Sequence, residues 1–125
     1  MNPRYEQGLK KFKSIFGEDQ ANASLKEIEA IAPDFGRHIV EFAFGDIFQR
    51  GVLSLKQREM ILITALTTLG TEDWLGAHIR AGLDAGITPS EIVETIVHTS
   101  LPAGLPRVLN ALKVAKLVFA ERGIQ

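Results

Sequence analysis

The chain has 125 residues, of which 46% are hydrophobic and 23% are charged, and its formal net charge is −1. This length and balance are typical of a soluble globular protein, and we expect a single domain over residues 1–125. The near-neutral charge argues against nucleic-acid binding, and the absence of cysteine excludes disulfides, thiol catalysis and zinc–thiolate sites.

The chain shows no targeting or membrane signal. Its start, MNPRYEQGLKKFK, lacks the apolar core of a signal peptide. The longest apolar run, MILITAL, is too short to cross a membrane. We therefore expect a cytoplasmic protein that does not contact a membrane.

Helix start and stop signals predict three helices in the first part of the chain. Pro3 suits the first turn of a helix that Gly17 ends. The segment GEDQANA is predicted to be a loop, after which Ser24 starts a short second helix. Pro33 is predicted to begin a third helix with the sequence PDFGRHIVEFAFGDIF.

Two further helices are predicted around a tight turn. Ser54 and Gln57 form a capping box, which opens a helix that runs to Gly70. Thr71 is predicted to cap the next helix, because two acidic residues follow it in the first turn. Gly86 is expected to end that helix.

The last part of the chain contains the clearest helix start. The segment TPSE, from Thr88, combines a cap, a first-turn proline and a capping box. The segment PAGLP must interrupt the chain before a last helix that ends at Gly123. Since no segment alternates with the period of a strand, we predict an all-α protein with about seven helices.

The predicted helix from Ser54 to Gly70 is apolar on nearly every side. Between Met60 and Leu69, only threonines interrupt the hydrophobic residues. A surface helix would show a narrower apolar stripe. A domain of this size has few helices with which to cover such an element, so the pattern predicts self-association.

Two ionisable residues interrupt apolar stripes on consecutive helices. His78 lies between Trp74 and Gly82 on one side of its helix. Glu59 lies similarly among Leu55, Leu62 and Leu66. The two residues are at comparable distances from the Gly70 turn, so their side chains could meet if the helices pack antiparallel.

A Glu59–His78 pair in an apolar pocket would be a plausible proton-transfer unit. A buried carboxylate needs a partner or a proton, and imidazole changes charge near neutral pH. In the alternative interpretation, neither residue has a chemical role. His78 is then a core residue whose hydrogen bonds are made within the protein, and Glu59 is exposed to solvent. Arg80 lies on another side of the helix and is predicted to pair with Asp84, although in an oligomer it could line a neighbour's pocket.

No metal or cofactor site is predicted. The three histidines have no ligand spacing among them, and no HExxH motif occurs. No glycine-rich phosphate loop and no Gly-x-Ser-x-Gly elbow are found. A site in this chain would therefore work with its side chains alone.

The chain resembles the carboxymuconolactone decarboxylase family from Arg4 to Glu121. The resemblance is carried by FAFGDIFQRGVLSLKQREMILITALTTLG and AHIRAGLDAGITPSEIVETIVHTSLPAGLPRVLNALKVA. It implies the all-helical alkylhydroperoxidase D-like bundle, usually assembled as a homohexamer from three dimers. The redox branch of that fold carries Cys-x-x-Cys-x-x-x-His. Thr71 and Trp74 replace both cysteines here, which leaves the decarboxylase-like branch.

The resemblance implies a cofactor-independent lyase of aromatic catabolism. Such an enzyme releases CO₂ from 4-carboxymuconolactone, or from a related small anionic lactone or carbonyl acid. Glu59 and His78 are the expected catalytic pair. The expected substrate-binding residues are Arg50, Arg80, Phe44, Trp74, Gly104 and Pro106.

The sequence also departs from the family pattern. Pro102 and Arg107 stand in the segment expected to shape the pocket, where many relatives carry a tyrosine and small residues. The alternative is therefore the same fold without redox cysteines, acting on another small molecule or as a non-catalytic oligomeric binding protein.

Overall fold

The computed structural model describes residues 2–125, and every regular element in that range is helical. The elements are α1 (Pro3–Phe16), α2 (Glu18–Ile31), α3 (Phe35–Ile39), a π-helix (Val40–Ile47), α4 (Leu55–Leu69), α5 (Glu72–Asp84), α6 (Pro89–His98), α7 (Ser100–Ala103) and α8 (Leu105–Glu121). The all-α prediction is confirmed. None of the helices in residues 2–125 has both the length and the hydropathy needed to cross a membrane.

The contacts divide the chain into two compact units. The first unit ends at Leu53, and the second comprises Ser54–Gln125. The first unit contains α1 to the π-helix, and the second contains α4 to α8. The single-domain organisation stays a prediction.

Glycines allow close packing between α1 and the π-helix in the first unit. A Cβ atom at Gly8 would collide with the carbonyl oxygen of Val40. A Cβ atom at Gly45 would lie 2.6 Å from the carbonyl oxygen of Arg4. Only glycine lets the two backbones approach so closely.

Aromatic side chains form the core of the first unit. The ring centroids of Phe12 and Phe44 lie 4.4 Å apart, and Phe48 stacks on Phe44 at 5.1 Å. Phe44 is buried, whereas Arg50 is exposed in the turn after the π-helix. The role of these two residues in substrate binding stays a prediction.

The predicted loop GEDQANA is wrong, because this segment forms the first turns of α2. The helix begins at Glu18, directly after Gly17, and has no side-chain cap. The N-cap residue, Gly17, has no side chain to cap the helix, so the strongest sequence signal for a helix start is missing. Glu18 and Asp19 suit the positive end of the helix dipole, and Ala21 and Leu25 become buried.

The third predicted α-helix is only partly correct. Its α-helical part begins at Phe35 and gives way to the π-helix at Val40. The π-helix ends with a hydrogen bond from the Phe48 N–H to the Ala43 carbonyl oxygen, at 2.9 Å. Hydrogen bonds between residues five apart cannot be predicted from hydrophobic residues that recur with the α-helical period of 3.6 residues.

In the second unit, the helix ends follow the sequence closely. Capping boxes are present at Ser54–Gln57 and at Thr88–Glu91, as predicted. Thr71 is the N-cap residue of α5, as predicted, but its side chain makes no capping hydrogen bond. The core of this unit consists of Ile63, Leu75, Ile79, Ile87, Ile92, Ile96, Val108, Ala111, Ala115 and Val118.

Arg107 stabilises the turn between α4 and α5. Its Nη1 donates a hydrogen bond to the carbonyl oxygen of Leu69, at 3.2 Å. The following Gly70 is left-handed, with φ of 77°, and a Cβ atom there would collide with the Arg107 guanidinium. A cation at this point also suits the negative end of the α4 dipole.

Candidate active site

Glu59 lies in the second turn of α4, on the side that faces the core of the second unit. The capping box fixes the start of the helix: the Gln57 N–H donates to Ser54 Oγ at 3.1 Å, and the Ser54 N–H donates to the Gln57 side chain at 2.9 Å. Glu59, Ile63 and Thr67 then follow at four-residue spacing and are the buried residues of α4. Glu59 is 0% exposed, so its carboxylate needs a partner inside the protein.

His78 on α5 supplies that partner. Its Nδ1 lies 2.9 Å from Oε2 and 3.2 Å from Oε1 of Glu59, although 19 residues separate the two in the chain. The turn at Gly70 brings the two helices side by side. The His78 side chain is 13% exposed. The contact between these side chains, which their positions in the sequence predicted, is present.

The contact determines which ring nitrogen can exchange protons with a ligand. A carboxylate only accepts hydrogen bonds, so with Glu59 ionised the Nδ1–H of His78 is the donor in this contact. In the neutral imidazole, the acceptor is then Nε2. A second proton at Nε2 produces an imidazolium whose charge Glu59 stabilises. In this arrangement Nε2 is the ring nitrogen at which proton transfer would occur.

Buried apolar residues lie next to each member of the pair. Ile63, one turn after Glu59, and Ile79, beside His78, are both 0% exposed. A Cβ atom at Gly82 would lie 3.8 Å from the Glu59 Cβ atom, so α5 approaches α4 closely at this point. A charged hydrogen bond is stronger in such low-dielectric surroundings than in water.

Arg80 lies on another side of α5 and is bound by α8. Its Nε and Nη2 donate to the Glu121 carboxylate at 2.9 and 3.1 Å, and this hydrogen bonding lowers the pKa of Glu121. The predicted pair between Arg80 and Asp84 is wrong. Asp84 accepts from Arg122 at 2.7 Å instead, because packing of α5 on α8 brings that guanidinium close.

Three other predicted substrate-binding residues lie at or near the surface of the second unit. Trp74, in the first turn of α5, is 56% exposed. Gly104 has a positive φ of 82° between α7 and α8, and Pro106 is exposed in the first turn of α8. Their roles stay predictions. In residues 2–125, no three His, Cys, Asp or Glu side chains are arranged to hold a metal ion.

A groove of about 700 Å³ lies apart from the Glu59–His78 pair, between α4, α6 and α7. The residues that line it include Met60, Ile61, Ala65, Glu94, His98 and Pro102. Neither Glu59 nor His78 lines it, since Ile61 and Ala65 lie on the side of α4 opposite Glu59. The sequence did not predict this groove, because helices far apart in the chain form it.

Comparison with known proteins identifies the family. The chain matches the model of the carboxymuconolactone decarboxylase family over residues 33–117. It is 39% identical to a 4-carboxymuconolactone decarboxylase of Acinetobacter baylyi, over 97% of this chain and 90% of the relative. It is 36% identical to an uncharacterized 15.0 kDa protein of Paracoccus denitrificans, over 78% of this chain and 74% of that protein. It is 27% identical to a nitrosuccinic acid decarboxylase of Metarhizium robertsii, over 90% of this chain and 78% of that enzyme. The chain therefore belongs to the carboxymuconolactone decarboxylase family.

Proposed function

We propose that this protein releases CO₂ from a small anionic acid without a bound cofactor, and that Glu59 and His78 form its proton-transfer pair. The observation that carries the proposal is the 2.9 Å contact between a fully buried carboxylate and an imidazole. Relatives named as decarboxylases of 4-carboxymuconolactone and of nitrosuccinic acid support the reaction class.

Decarboxylation needs an acceptor for the electron pair that CO₂ leaves behind. In 4-carboxymuconolactone, the bond between the ring carbon and the carboxylate breaks, and its electrons move through the C=C bond to the lactone carbonyl oxygen. The resulting dienolate takes up a proton on carbon and becomes the enol-lactone of 3-oxoadipate. Since the substrate supplies the electron acceptor, the protein must stabilise the charge on oxygen and deliver a proton.

The geometry suggests a role for each member of the pair. His78 would hold the transferable proton at Nε2 and donate it to the dienolate, because Nδ1 is oriented by Glu59. Glu59 would fix the orientation of the ring and stabilise the imidazolium before the transfer. The apolar residues around the pair would keep water away from the dienolate.

The nitrosuccinic acid relative supports a broader substrate class. Nitrosuccinic acid carries two carboxyl groups and a nitro group, and a nitro group can accept an electron pair as a carbonyl group does. We infer that the substrate is a small acid with at least one further anionic or polar group. Its departing carboxylate would be attached to a carbon whose electron pair can move into a carbonyl or nitro group, directly or through a C=C bond.

Arginine side chains are the proposed ligands of the substrate carboxylates, because a guanidinium binds a carboxylate through two parallel hydrogen bonds. The proposed residues are Arg50 and Arg80. Arg80 already binds Glu121 in this manner, so a substrate carboxylate would have to replace Glu121. The remaining proposed contacts with the substrate come from Phe44, Trp74, Gly104 and Pro106.

We also propose that the protein assembles with copies of itself, as a hexamer in the cytoplasm, and acts in aromatic catabolism. Exposed apolar surface supports self-association. On α4, Ile61 is 54% exposed and Leu69 is 66% exposed, and the groove of about 700 Å³ lies beside Ile61. On α8, Leu105, Leu109 and Leu117 are also exposed.

The proposed reaction is tested by incubating the purified protein with 4-carboxymuconolactone or nitrosuccinic acid and measuring the CO₂ released. The wild-type protein should release CO₂ from at least one of them. His78→Ala should lower kcat by about 10²-fold while its circular dichroism spectrum stays helical. His38→Ala is the matched control, because His38 is an exposed histidine of α3, and it should retain full activity.

Two results would contradict the proposal. If the wild-type protein releases no CO₂ from either acid, the proposed reaction is wrong for these substrates. If His78→Ala keeps the wild-type kcat, the proton-transfer role of His78 is wrong even though the reaction class stands.

A further inference from the structure

We propose that Gly82 and Ile87 are positioning residues that set the spacing of α4 and α5 at the Glu59–His78 contact. This inference rests on the proposed function of that pair. It adds two residues that act on the pair through packing rather than by contact with the substrate.

A Schellman motif at the end of α5 fixes the position of Ile87. The Ile87 N–H donates to the Gly82 carbonyl oxygen at 2.9 Å, and the Gly86 N–H donates to the Leu83 carbonyl oxygen at 3.1 Å. Gly86 has a φ of 98°, as the left-handed position of the motif requires. The motif brings the Ile87 side chain back against position 82, where glycine leaves space for it.

The space around Gly82 is tight for a methyl group. A Cβ atom there would lie 3.1 Å from Ile87 Cδ1 and 3.3 Å from Ile63 Cδ1. Ile87 is 2% exposed and Ile63 is 0% exposed, so neither side chain can move into solvent. An added methyl group would require these neighbours to shift by a few tenths of an ångström, and we infer that α4 and α5 move apart as a result.

Such a separation would act on the proposed catalytic pair. Gly82 lies one turn after His78 on the same side of α5, and its missing Cβ atom would be 3.8 Å from the Glu59 Cβ atom. A longer distance weakens the hydrogen bond between Glu59 and Nδ1 of His78. The imidazole would lose its fixed orientation, to which proton transfer is sensitive.

The second glycine of α5 provides a matched control. Gly76 is also buried, and a Cβ atom there would lie 3.5 Å from Val114 Cγ1 and 3.7 Å from Arg80 Nη1, both ordinary contact distances that leave Arg80 in place. Gly76→Ala and Gly82→Ala therefore gain the same helix propensity. They differ in the space that each position offers to the added methyl group. Ile87→Val removes the Cδ1 atom that crowds position 82, so Gly82→Ala/Ile87→Val is the compensating double variant.

The experiment combines kinetics with ¹⁵N NMR of the His78 imidazole. The signals of His78 are assigned as those that are missing from the spectrum of His78→Ala. Gly82→Ala should change the ring ¹⁵N shifts and lower kcat by about tenfold, with KM changed by less than about threefold. Gly76→Ala should preserve the shifts and kcat. The double variant should recover the wild-type shifts and most of kcat.

The proposal is overturned if Gly82→Ala leaves the His78 signals unchanged, or if the double variant is as impaired as the single variant. Melting temperatures of all variants separate local changes from unfolding. The NMR measurement needs no substrate. A wild-type protein that releases no CO₂ would therefore contradict the proposed function and still leave the positioning role open to this test.

Discussion

Glu59 and His78 are hydrogen-bonded at 2.9 Å across the interface of α4 and α5, and Glu59 has no exposed surface. Burying a carboxylate costs several kcal/mol, and its contacts offset this cost only in part. Apolar residues of similar volume would fill the same space without that cost. The presence of a buried ionisable pair in so small a core therefore supports a chemical role.

Substitution of Glu59 should separate its structural role from its catalytic role. Glu59→Gln keeps an acceptor for the Nδ1 proton of His78 but loses the charge, so kcat should fall by about 10²-fold with little change in stability. Glu59→Leu leaves that donor without its acceptor and should also destabilise the protein by about 1–3 kcal/mol. Kinetics and denaturant titration measure both effects. The assignment would be contradicted if both variants kept the wild-type kcat, or if Glu59→Leu were as stable as Glu59→Gln.

The Arg80–Glu121 pair should compete with the substrate. Glu121→Gln weakens the hold on Arg80, so KM for a dianionic substrate should fall by about twofold to fivefold, the range expected for an exposed ion pair. Asp84→Asn is the matched control, because it breaks the neighbouring pair between α5 and Arg122, the residue that follows α8. An unchanged KM in Glu121→Gln, or an equal decrease in both variants, would exclude Arg80 as the carboxylate ligand.

The charge of Glu91 should make the stability of the second unit depend on pH. The hydrogen bond from the Thr88 N–H lowers the pKa of Glu91 below its ordinary value of 4.5, with a smaller contribution from Lys56. The charge therefore stabilises the folded state above pH 4.5, and this contribution is lost as the pH falls through the lowered pKa.

Thermal melts of the wild-type protein and Glu91→Gln test this dependence. The wild-type Tm should exceed that of the variant at neutral pH, and the difference should shrink toward about pH 3. Glu94→Gln, exposed on the same helix, controls for loss of charge alone. A Tm difference that stays constant with pH would contradict the prediction.

Trp74 should report ligand binding directly, because it is the only tryptophan in the chain and is 56% exposed. If it contacts the substrate, a non-reactive dicarboxylate analogue should change its fluorescence, and Trp74→Ala should weaken binding by about tenfold. Isothermal titration calorimetry provides the affinity. Emission that does not change at saturating ligand would place Trp74 outside the substrate site.

Self-association should depend on the exposed apolar side of α4. Ile61→Asp places a charge on this surface and should reduce the molar mass in sedimentation equilibrium. Lys26→Asp, on the exposed polar side of α2, should leave the mass unchanged. A monomeric wild-type protein, or an assembly that Ile61→Asp does not affect, would contradict a role of this surface in assembly.

Local signals predicted most of the helix ends but not the start of α2. Ser54 and Thr88 cap their helices through residues only three positions away, so the sequence contains the whole interaction. The start of α2 at Glu18 has no such cap and depends on burial of Ala21 and Leu25. The π-helix depends likewise on packing, since α1 meets it through the bare backbone of Gly8.

The position of Glu59 was predictable in outline, but its neighbours were not. The sequence suggested a stripe with three leucines, whereas the fully buried residues of α4 are Glu59, Ile63 and Thr67. Small rotations of a helix about its axis exchange such neighbours, and the packing of α5 and α8 decides the rotation.

By itself, the sequence determined the helical class, the capped helix ends and the comparable distances of Glu59 and His78 from the Gly70 turn along their helices. These features depend on hydrogen bonds and periodicities that span a few residues. Only the tertiary structure decided that Arg80 binds Glu121 rather than Asp84, and that Ile87 packs into the space left by Gly82. Those contacts depend on the distance and crossing of packed helices, which arise from the whole core rather than from any one segment.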